Sequence, residues 1–174
     1  MASPALVNHS IRSYAWAVGL AWQDALAFDP ELLYVSAMLH DIGLLPAYDI
    51  GGCYAVDGAI EARRFALGLG APAARSQVVY DAIALHNDEA MPPDPAPEVV
   101  LLWDATGVDV TGERLADLRP AFVSAVLAAY PRLDFKREFA ALFGDHASRK
   151  PTCAEAAMAR HGMIEAIANA PFDS

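Results

Sequence analysis

His40 and Asp41 are neighbours at the end of an apolar run, residues 32–39, and Gly43 follows shortly after them. Both side chains carry lone pairs, and a polar group that is buried without a partner lowers the stability of a protein. A divalent metal is the simplest partner that satisfies both. The alternative is an ordinary helix end, where Asp41 is exposed and His40 sits near the carbonyl terminus, which favours positive charge.

The composition favours a single helical domain. The chain has 174 residues, of which 55% are hydrophobic and 20% are charged, so a disordered protein is excluded. Alanine is abundant and β-branched runs are few, which favours helix throughout. We therefore predict one all-α domain over residues 1–174, large enough to bury a core without a disulfide or a structural metal.

The net charge of −10 argues against nucleic acid as a partner, because binding to many phosphates needs a basic surface. One small phosphate remains compatible with it if a metal supplies positive charge. The longest apolar stretch, residues 14–22, is far shorter than the roughly 20 residues that span a bilayer, so no membrane partner is expected. Cys53 and Cys153 lack metal-binding spacing, and no signal peptide is visible, which predicts reduced thiols in the cytoplasm.

The first predicted helix, residues 4–27, carries His9 and Arg12 three positions apart, so the two share one face. This helix is apolar on most sides, as a central helix is. A histidine there is either a satisfied core residue or a ligand. A buried guanidinium needs an anion or a carbonyl, which favours a polar cavity on this face.

Residues 44–55 form a loop that is too apolar for a solvated linker, and we predict that it folds over the site as a lid. Asp49 is one of its polar groups. Asp57 begins the next predicted helix, where capping free N–H groups explains a carboxylate at least as well as catalysis does. The helical phase of residues 72–87 directs His86 inward.

Asp104 interrupts an apolar segment, residues 98–106, that we predict to be a short helix. A buried carboxylate in such a segment must be paired, bound to a metal or protonated. Considered together with His9, His40 and Asp41, metal binding is the preferred interpretation.

The remainder of the chain is predicted to support the site. Asp109 follows the short helix and is interpreted as a turn or cap residue. Residues 115–170 are predicted to form supporting helices, with His146 and His161 on the surface. An apolar face such as residues 122–130 fits either the core or an interface between copies of the chain, so a homo-oligomer is left open.

The order His9, His40, Asp41 and Asp104, with every member on a helix, resembles the HD superfamily of metal-dependent hydrolases over about residues 6–110. The resemblance implies a compact HD-domain helical bundle with a central metal site. A second likeness is to the branch that contains cyanamide hydratase. The segments that carry it are residues 8–14, 39–43, 56–59, 82–86 and 107–110.

The resemblance also implies the ligands and the cofactor. One divalent cation would be held by His9, His40, Asp41 and Asp104. Zinc is the first candidate, and iron or manganese also suits such nitrogen and oxygen ligands. An open coordination position would activate a water for attack on the substrate.

Four further residues are implied near the reaction. His86, Asp57 or Asp49 would move protons, and His86 is preferred because its helical phase directs it inward. Arg12 would orient or polarise the substrate, unless it forms a structural salt bridge with a nearby acid.

The function expected from the resemblance is addition of water to, or hydrolysis of, a small uncharged nitrogen compound such as cyanamide or a nitrile. The alternatives are a phosphohydrolase that acts on nucleotides or other phosphate monoesters, and a domain that binds a metabolite without catalysis. HD nucleotidases place an acid shortly after the HD pair, where this chain has Leu44 and Leu45. HD proteins that bind two metals carry further histidines after the first two helices. This chain has only His86 there, so we expect one metal.

Overall fold

The computed structural model describes residues 1–88 and 90–173. Over these residues the chain forms nine α-helices and no strand, so the prediction of an all-α fold is confirmed. No helix in this part of the chain is both long enough and apolar enough to cross a membrane. Short 3-10 turns lie at Ile42–Leu44 and Leu115–Asp117. The α-helices are α1 (Pro4–Gln23), α2 (Pro30–Leu39), α3 (Tyr54–Gly68), α4 (Ala73–Leu85), α5 (Pro97–Thr111), α6 (Pro120–Ala129), α7 (Phe135–Arg149), α8 (Ala154–Arg160) and α9 (Met163–Ala168).

Helix α1 is the central helix and contacts α2, α5 and α7. Pro4 occupies its first position, and the hydroxyl of Ser3 accepts a hydrogen bond from the N–H of Leu6 at 3.1 Å. Such a cap fixes where a helix begins. Trp16 and Leu20 are fully buried, in agreement with the apolar character of the sequence on most sides of this helix.

Helix α2 delivers the His-Asp pair. The carboxylate of Asp29 accepts a hydrogen bond from the N–H of Glu31, and Pro30 is the first helical residue, as their sequence predicts. The helix ends just before His40, which is its cap residue, and Asp41 already has a non-helical backbone. Because the helix ends between them, the two neighbouring side chains can face the same site.

Gly43 lets the turn after α2 pack directly against the start of α3. A Cβ at this position would overlap the carbonyl oxygen of Tyr54 and would lie 2.9 Å from the backbone nitrogen of Gly58. Its φ is not among the positive values of the chain. Lack of a side chain, rather than a left-handed backbone angle at a helix end, therefore explains the glycine.

Replacing Gly43 with alanine is expected to lower the free energy of unfolding by about 1–3 kcal/mol, the range for an overpacked core. The added methyl group must displace backbone atoms of α3 rather than a flexible side chain. Urea denaturation measures the change. Gly68→Ala is the control, because a Cβ there meets no atom within 4 Å, and it should raise stability by about 0.5–1 kcal/mol. A neutral Gly43→Ala variant would mean that α3 can shift freely.

Two helices pass through an internal glycine. Helix α5 passes through Gly107 and ends at Gly112, whose φ of 86° is left-handed and suits glycine. Helix α7 passes through Gly144 and ends at Arg149. A glycine inside a helix costs only about 0.5–1 kcal/mol, which tertiary packing can outweigh. The helix predicted over residues 98–106 is therefore too short.

The C-terminal helices complete a second hydrophobic core. Phe135, Phe139 and Phe143 from α7 and Ile167 from α9 lie in this core together with Tyr54 at the start of α3. Tyr54 is thus fixed between the first half of the chain and its last third. The helices predicted as support also reach the candidate site.

Two predictions for this part of the molecule are wrong. His146 is buried, because α7 continues past Gly144, and its Nε2 accepts a hydrogen bond from the N–H of Tyr54 at 3.3 Å. Cys53 and Cys153 form a disulfide rather than two reduced thiols. Each precedes a helix as its cap residue, and their Cα atoms lie 5.5 Å apart, a usual separation for a disulfide.

Candidate metal centre

Three of the four predicted ligands come together where α1 passes the end of α2. The Nε2 atoms of His9 and His40 are 3.0 Å apart. Oδ2 of Asp41 lies 3.3 Å from Nε2 of His9 and 3.2 Å from Nε2 of His40. All three side chains are buried. The cluster therefore gathers two imidazoles and one carboxylate in a small volume closed to solvent.

The other ring nitrogen of each histidine is already hydrogen-bonded. Nδ1 of His40 donates to the carbonyl oxygen of Ala37 at 2.8 Å. Nδ1 of His9 donates to Oδ2 of Asp109 at 2.7 Å. A carbonyl or carboxylate oxygen can only accept, so Nδ1 carries a proton in both rings. When both rings are neutral, their Nε2 lone pairs are therefore directed towards each other.

This arrangement calls for a cation. Two lone pairs 3.0 Å apart repel each other unless a proton or a metal ion lies between them. Neither carboxylate oxygen of Asp41 accepts a hydrogen bond from any residue that the structure describes, and such an unpartnered buried group is costly. Atoms that share one ion at about 2.0–2.2 Å lie within roughly 4.4 Å of each other, a limit that these donors satisfy. The cluster can therefore hold one divalent metal.

The comparison with known families agrees with this geometry. A family model described as the HD domain matches residues 6–109, more than half of the chain. The chain belongs to the HD domain family. Members of this family are mostly metal-dependent hydrolases. No curated protein matches the sequence, and the closer likeness to the cyanamide hydratase branch is not confirmed.

The structure does not bring the fourth predicted ligand of this HD domain, Asp104, to the cluster. Oδ2 of Asp104 accepts a hydrogen bond from Nη1 of Arg114 at 2.6 Å, and the same arginine also binds Asp24 and Asp117. Positions 104 and 109 of a helix are about 140° apart around its axis. Because Asp109 reaches His9, the carboxylate of Asp104 is directed elsewhere, into an ion-pair network. The prediction that Asp104 is a ligand is corrected accordingly.

Asp109, predicted as a turn or cap residue, is a buried acceptor inside α5. Its carboxylate accepts hydrogen bonds from Nε and Nη2 of Arg12 at 2.8 and 2.7 Å, from Trp16 at 2.8 Å, and from His9. Arg132 lies 3.2 Å away. Burial alone would raise the pKa of Asp109, but the hydrogen bonds from Arg12 and His9 and their charges hold it far below its ordinary value. Asp109 thus fixes the ring of His9 as a carboxylate behind a metal-binding histidine does.

Arg12 takes the structural role that was the alternative to contact with substrate. Besides its two hydrogen bonds to Asp109, its Nη1 donates to the carbonyl oxygens of Tyr130 and Pro131 at 3.2 and 3.3 Å. The guanidinium is fully buried. Its donors are directed at Asp109 and at the segment before α7, so it acts on the site through Asp109.

Asp57 and Asp49 are engaged in structural contacts. Oδ2 of Asp57 accepts two hydrogen bonds of 3.0 Å from the N–H groups of Ile50 and Gly52. The role is structural, but it holds the preceding loop rather than capping the N–H groups of α3 as the alternative had it. Asp49 accepts hydrogen bonds from Lys150 at 2.7 Å and Arg149 at 2.8 Å, which lower its pKa. Neither carboxylate lines the cavity beside the cluster. The geometry therefore gives no support to a catalytic role for either residue.

His86 is the predicted catalytic residue that does lie beside the cluster. Its Nε2 is 3.7 Å from Oδ1 of Asp41. Its Nδ1 donates to the carbonyl oxygen of Ile83 at 2.6 Å, so Nε2 is the acceptor, and the hydroxyl of Tyr54 donates to it at 3.2 Å. That hydroxyl in turn accepts a hydrogen bond from Asn87 at 3.1 Å. Burial lowers the pKa of His86 to about 4, which keeps the ring neutral.

A cavity of about 180 Å³ adjoins the cluster and His86. Its apolar wall comes from α5 and the C-terminal helices, through residues such as Val110, Phe143 and Met158. Of the predicted lid, residues 44–55, Tyr54 lines the cavity from the start of α3, whereas Tyr48 is 38% exposed and does not line it. The rest of the cover comes from α7, α8 and α9 in the last third of the chain.

Proposed function

We propose that this HD domain is a metal-dependent enzyme that adds water to, or hydrolyses, a small uncharged nitrogen compound of the cyanamide or nitrile class. His9, His40 and Asp41 would hold one divalent cation, with zinc as the first candidate and iron or manganese as alternatives. When bound, such a cation supplies Lewis acidity and makes water a stronger acid. The proposal depends chiefly on the charge of the cavity next to this cluster.

The cavity offers no positive side chain to an anionic substrate. Among the described residues that line it there is no lysine or arginine, whereas Asp88 and Glu113 add negative charge. The buried arginines nearby, Arg12 and Arg132, are already paired with Asp109. A phosphate group carries about −1.5 to −2 charges near neutral pH and is usually met by such cations. An uncharged substrate fits the cavity better, which disfavours the phosphohydrolase alternative.

His86 is the proton carrier in the proposed reaction. Hydration of a nitrile forms a carbon–oxygen bond and transfers protons from the water oxygen to the substrate nitrogen. The Nε2 lone pair of His86 takes up a proton through the Tyr54 hydroxyl, which donates to it while its oxygen takes a proton from water, and the proton returns by the same route to the substrate nitrogen. The hydroxyl of Tyr54 and the carbonyl oxygen of Ile83 hold the ring in place from its two nitrogens. Asp109 does the same for His9.

Two measurements on the purified protein test the proposed function. Elemental analysis should find about one transition metal per chain, as expected for a single site. Cyanamide or a panel of nitriles should give urea or amides, while nucleoside monophosphates should release no phosphate. Phosphate release without amide formation would instead support the phosphohydrolase. A protein with neither metal nor turnover would be a binding domain without catalysis.

His86→Gln is expected to lower kcat by about 10²–10⁴-fold, the usual contribution of a general acid–base group. The metal content should stay unchanged, because His86 lies outside the group of three ligand residues. The same elemental and kinetic measurements check both results. His161→Gln is the control, since His161 is an exposed histidine and its replacement should change neither. If His86→Gln also loses the metal, His86 is a ligand rather than a proton carrier.

A further inference from the structure

Histidines and large apolar side chains line two parts of the cavity. His9, His40 and His86 come from α1 and from the ends of α2 and α4, whereas the large apolar residues come from α5, α7, α8 and α9. They include Val110, Phe139, Phe143, Met158 and Met163, and α5 also contributes the polar Thr106 and Thr111. A substrate whose polar group reaches the histidines must therefore also contact an apolar wall.

The cavity is larger than a minimal substrate requires. Its volume is about 180 Å³. An apolar cavity of about 150 Å³ is enough to take up benzene, which has six carbon atoms. Cyanamide has half as many non-hydrogen atoms, and all of it is polar. Such a substrate would leave Phe143, Met158 and Met163 facing water, whereas an apolar group placed there would be removed from water, which is favourable.

We propose that the natural substrate carries an apolar group about the size of a benzene ring, which lies against Val110, Phe143, Met158 and Met163. This inference rests on the proposed function for the polar end of the substrate, an uncharged nitrile-like group. The two methionines suit such a pocket, because their flexible, polarisable side chains adapt to rings and branched chains alike. The site would thus select arylnitriles or bulky alkylnitriles over cyanamide.

Binding of toluene, an unreactive probe of this size, tests the apolar part separately from the chemistry. We expect toluene to shift NMR signals of the native protein and to bind Val110→Phe at least 10-fold more weakly, because the added ring fills the cavity. Val123→Phe is the matched control. Val123 is also partly buried but packs in the other hydrophobic core, so toluene should bind this variant as it binds the native protein. Met163→Trp fills the cavity from α9 and replaces Val110→Phe if that variant does not fold.

Turnover gives the second measurement. Water adds across the carbon–nitrogen triple bond of benzonitrile to give benzamide, and of acetonitrile to give acetamide. We expect KM for benzonitrile to be about 10–100-fold lower than KM for acetonitrile, which is the gain from burying an aromatic ring.

The two hypotheses fail in different ways. Toluene binding that the filling variants remove supports the inference even if no nitrile is hydrated, in which case the proposed reaction is wrong. The inference is overturned if toluene does not bind, if Val110→Phe and Val123→Phe bind it equally, or if cyanamide and acetonitrile are hydrated at lower KM than benzonitrile.

Discussion

Replacing Asp109 with asparagine is expected to lower the free energy of unfolding by about 3–5 kcal/mol, the cost of leaving a buried charge without its partner. The carboxylate is fully buried and binds Arg12 through two hydrogen bonds of 2.8 and 2.7 Å. Arg132 is 3.2 Å away. Asparagine keeps the shape of the side chain but removes the anion that both guanidinium groups share. Urea denaturation of the purified variant measures the loss.

Asp104→Asn is the matched control, because it makes the same change on the same helix. Asp104 pairs with Arg114, whose side chain is 29% exposed. Ion pairs of this kind contribute up to about 1 kcal/mol, so the expected loss is small. The metal content should also be unaffected. Equal losses for the two variants would contradict the structural role of Asp109, and loss of metal from Asp104→Asn would restore Asp104 as a ligand.

The pair His40 and Asp41 could be predicted from sequence because its signal is local. An apolar run with a cap at its start and a polar pair at its end describes one helix and its exit. His9 could be predicted less firmly, since a buried histidine on an apolar helix has another explanation. The structure adds what no local pattern contains, which is the 3.0 Å separation of their Nε2 atoms and the unpartnered carboxylate of Asp41.

Asp104 rather than Asp109 is predicted to be the buried acid of α5 because Gly107 is read as the helix end. Treating Gly107 as a helix end leaves Asp109 in a loop and makes Asp104 the acid of an apolar helix. Continued through Gly107, the helix places Asp109 seven positions after Leu102 and four after Ala105, on the same buried face. That spacing was visible in the sequence. Tertiary contacts with Arg12 and His9, which the sequence does not show, are what justify continuing the helix.

The cover of the cavity could not be predicted because it depends on long-range packing. Met158 and Met163 belong to short helices whose sequences indicate no more than support. Their position depends on α7, which packs against α8 and α9, and on the disulfide between Cys53 and Cys153. Cys53 and Cys153 are separated by 100 residues. A local sequence pattern therefore predicts neither this disulfide nor the cavity wall that it helps to hold.

Asp41→Asn is expected to weaken metal binding by more than about 100-fold, since changes behind the ligands already cost 10–100-fold. Asp41 brings the negative charge to a cluster whose other members, His9 and His40, are neutral when they bind a cation. Its carboxylate oxygens are free to bind one, because neither accepts a hydrogen bond from a described residue. An amide oxygen lacks that charge. Equilibrium dialysis against Zn²⁺ measures the affinity of the native protein and the variant.

The stability of the same variant with and without Zn²⁺ shows whether the ion binds at this cluster. Zinc at 1,000 times its dissociation constant should stabilise the native protein by about 4 kcal/mol, and Asp41→Asn should lose most of that gain. The difference between the variant and the native protein without zinc is the baseline from which the zinc-dependent loss is measured. Asp57→Asn is the control, since the carboxylate of Asp57 accepts hydrogen bonds from two N–H groups away from the cluster. This variant should lose the same stability with zinc as without it. An Asp41→Asn protein that keeps the full stabilisation by zinc would place the ion elsewhere.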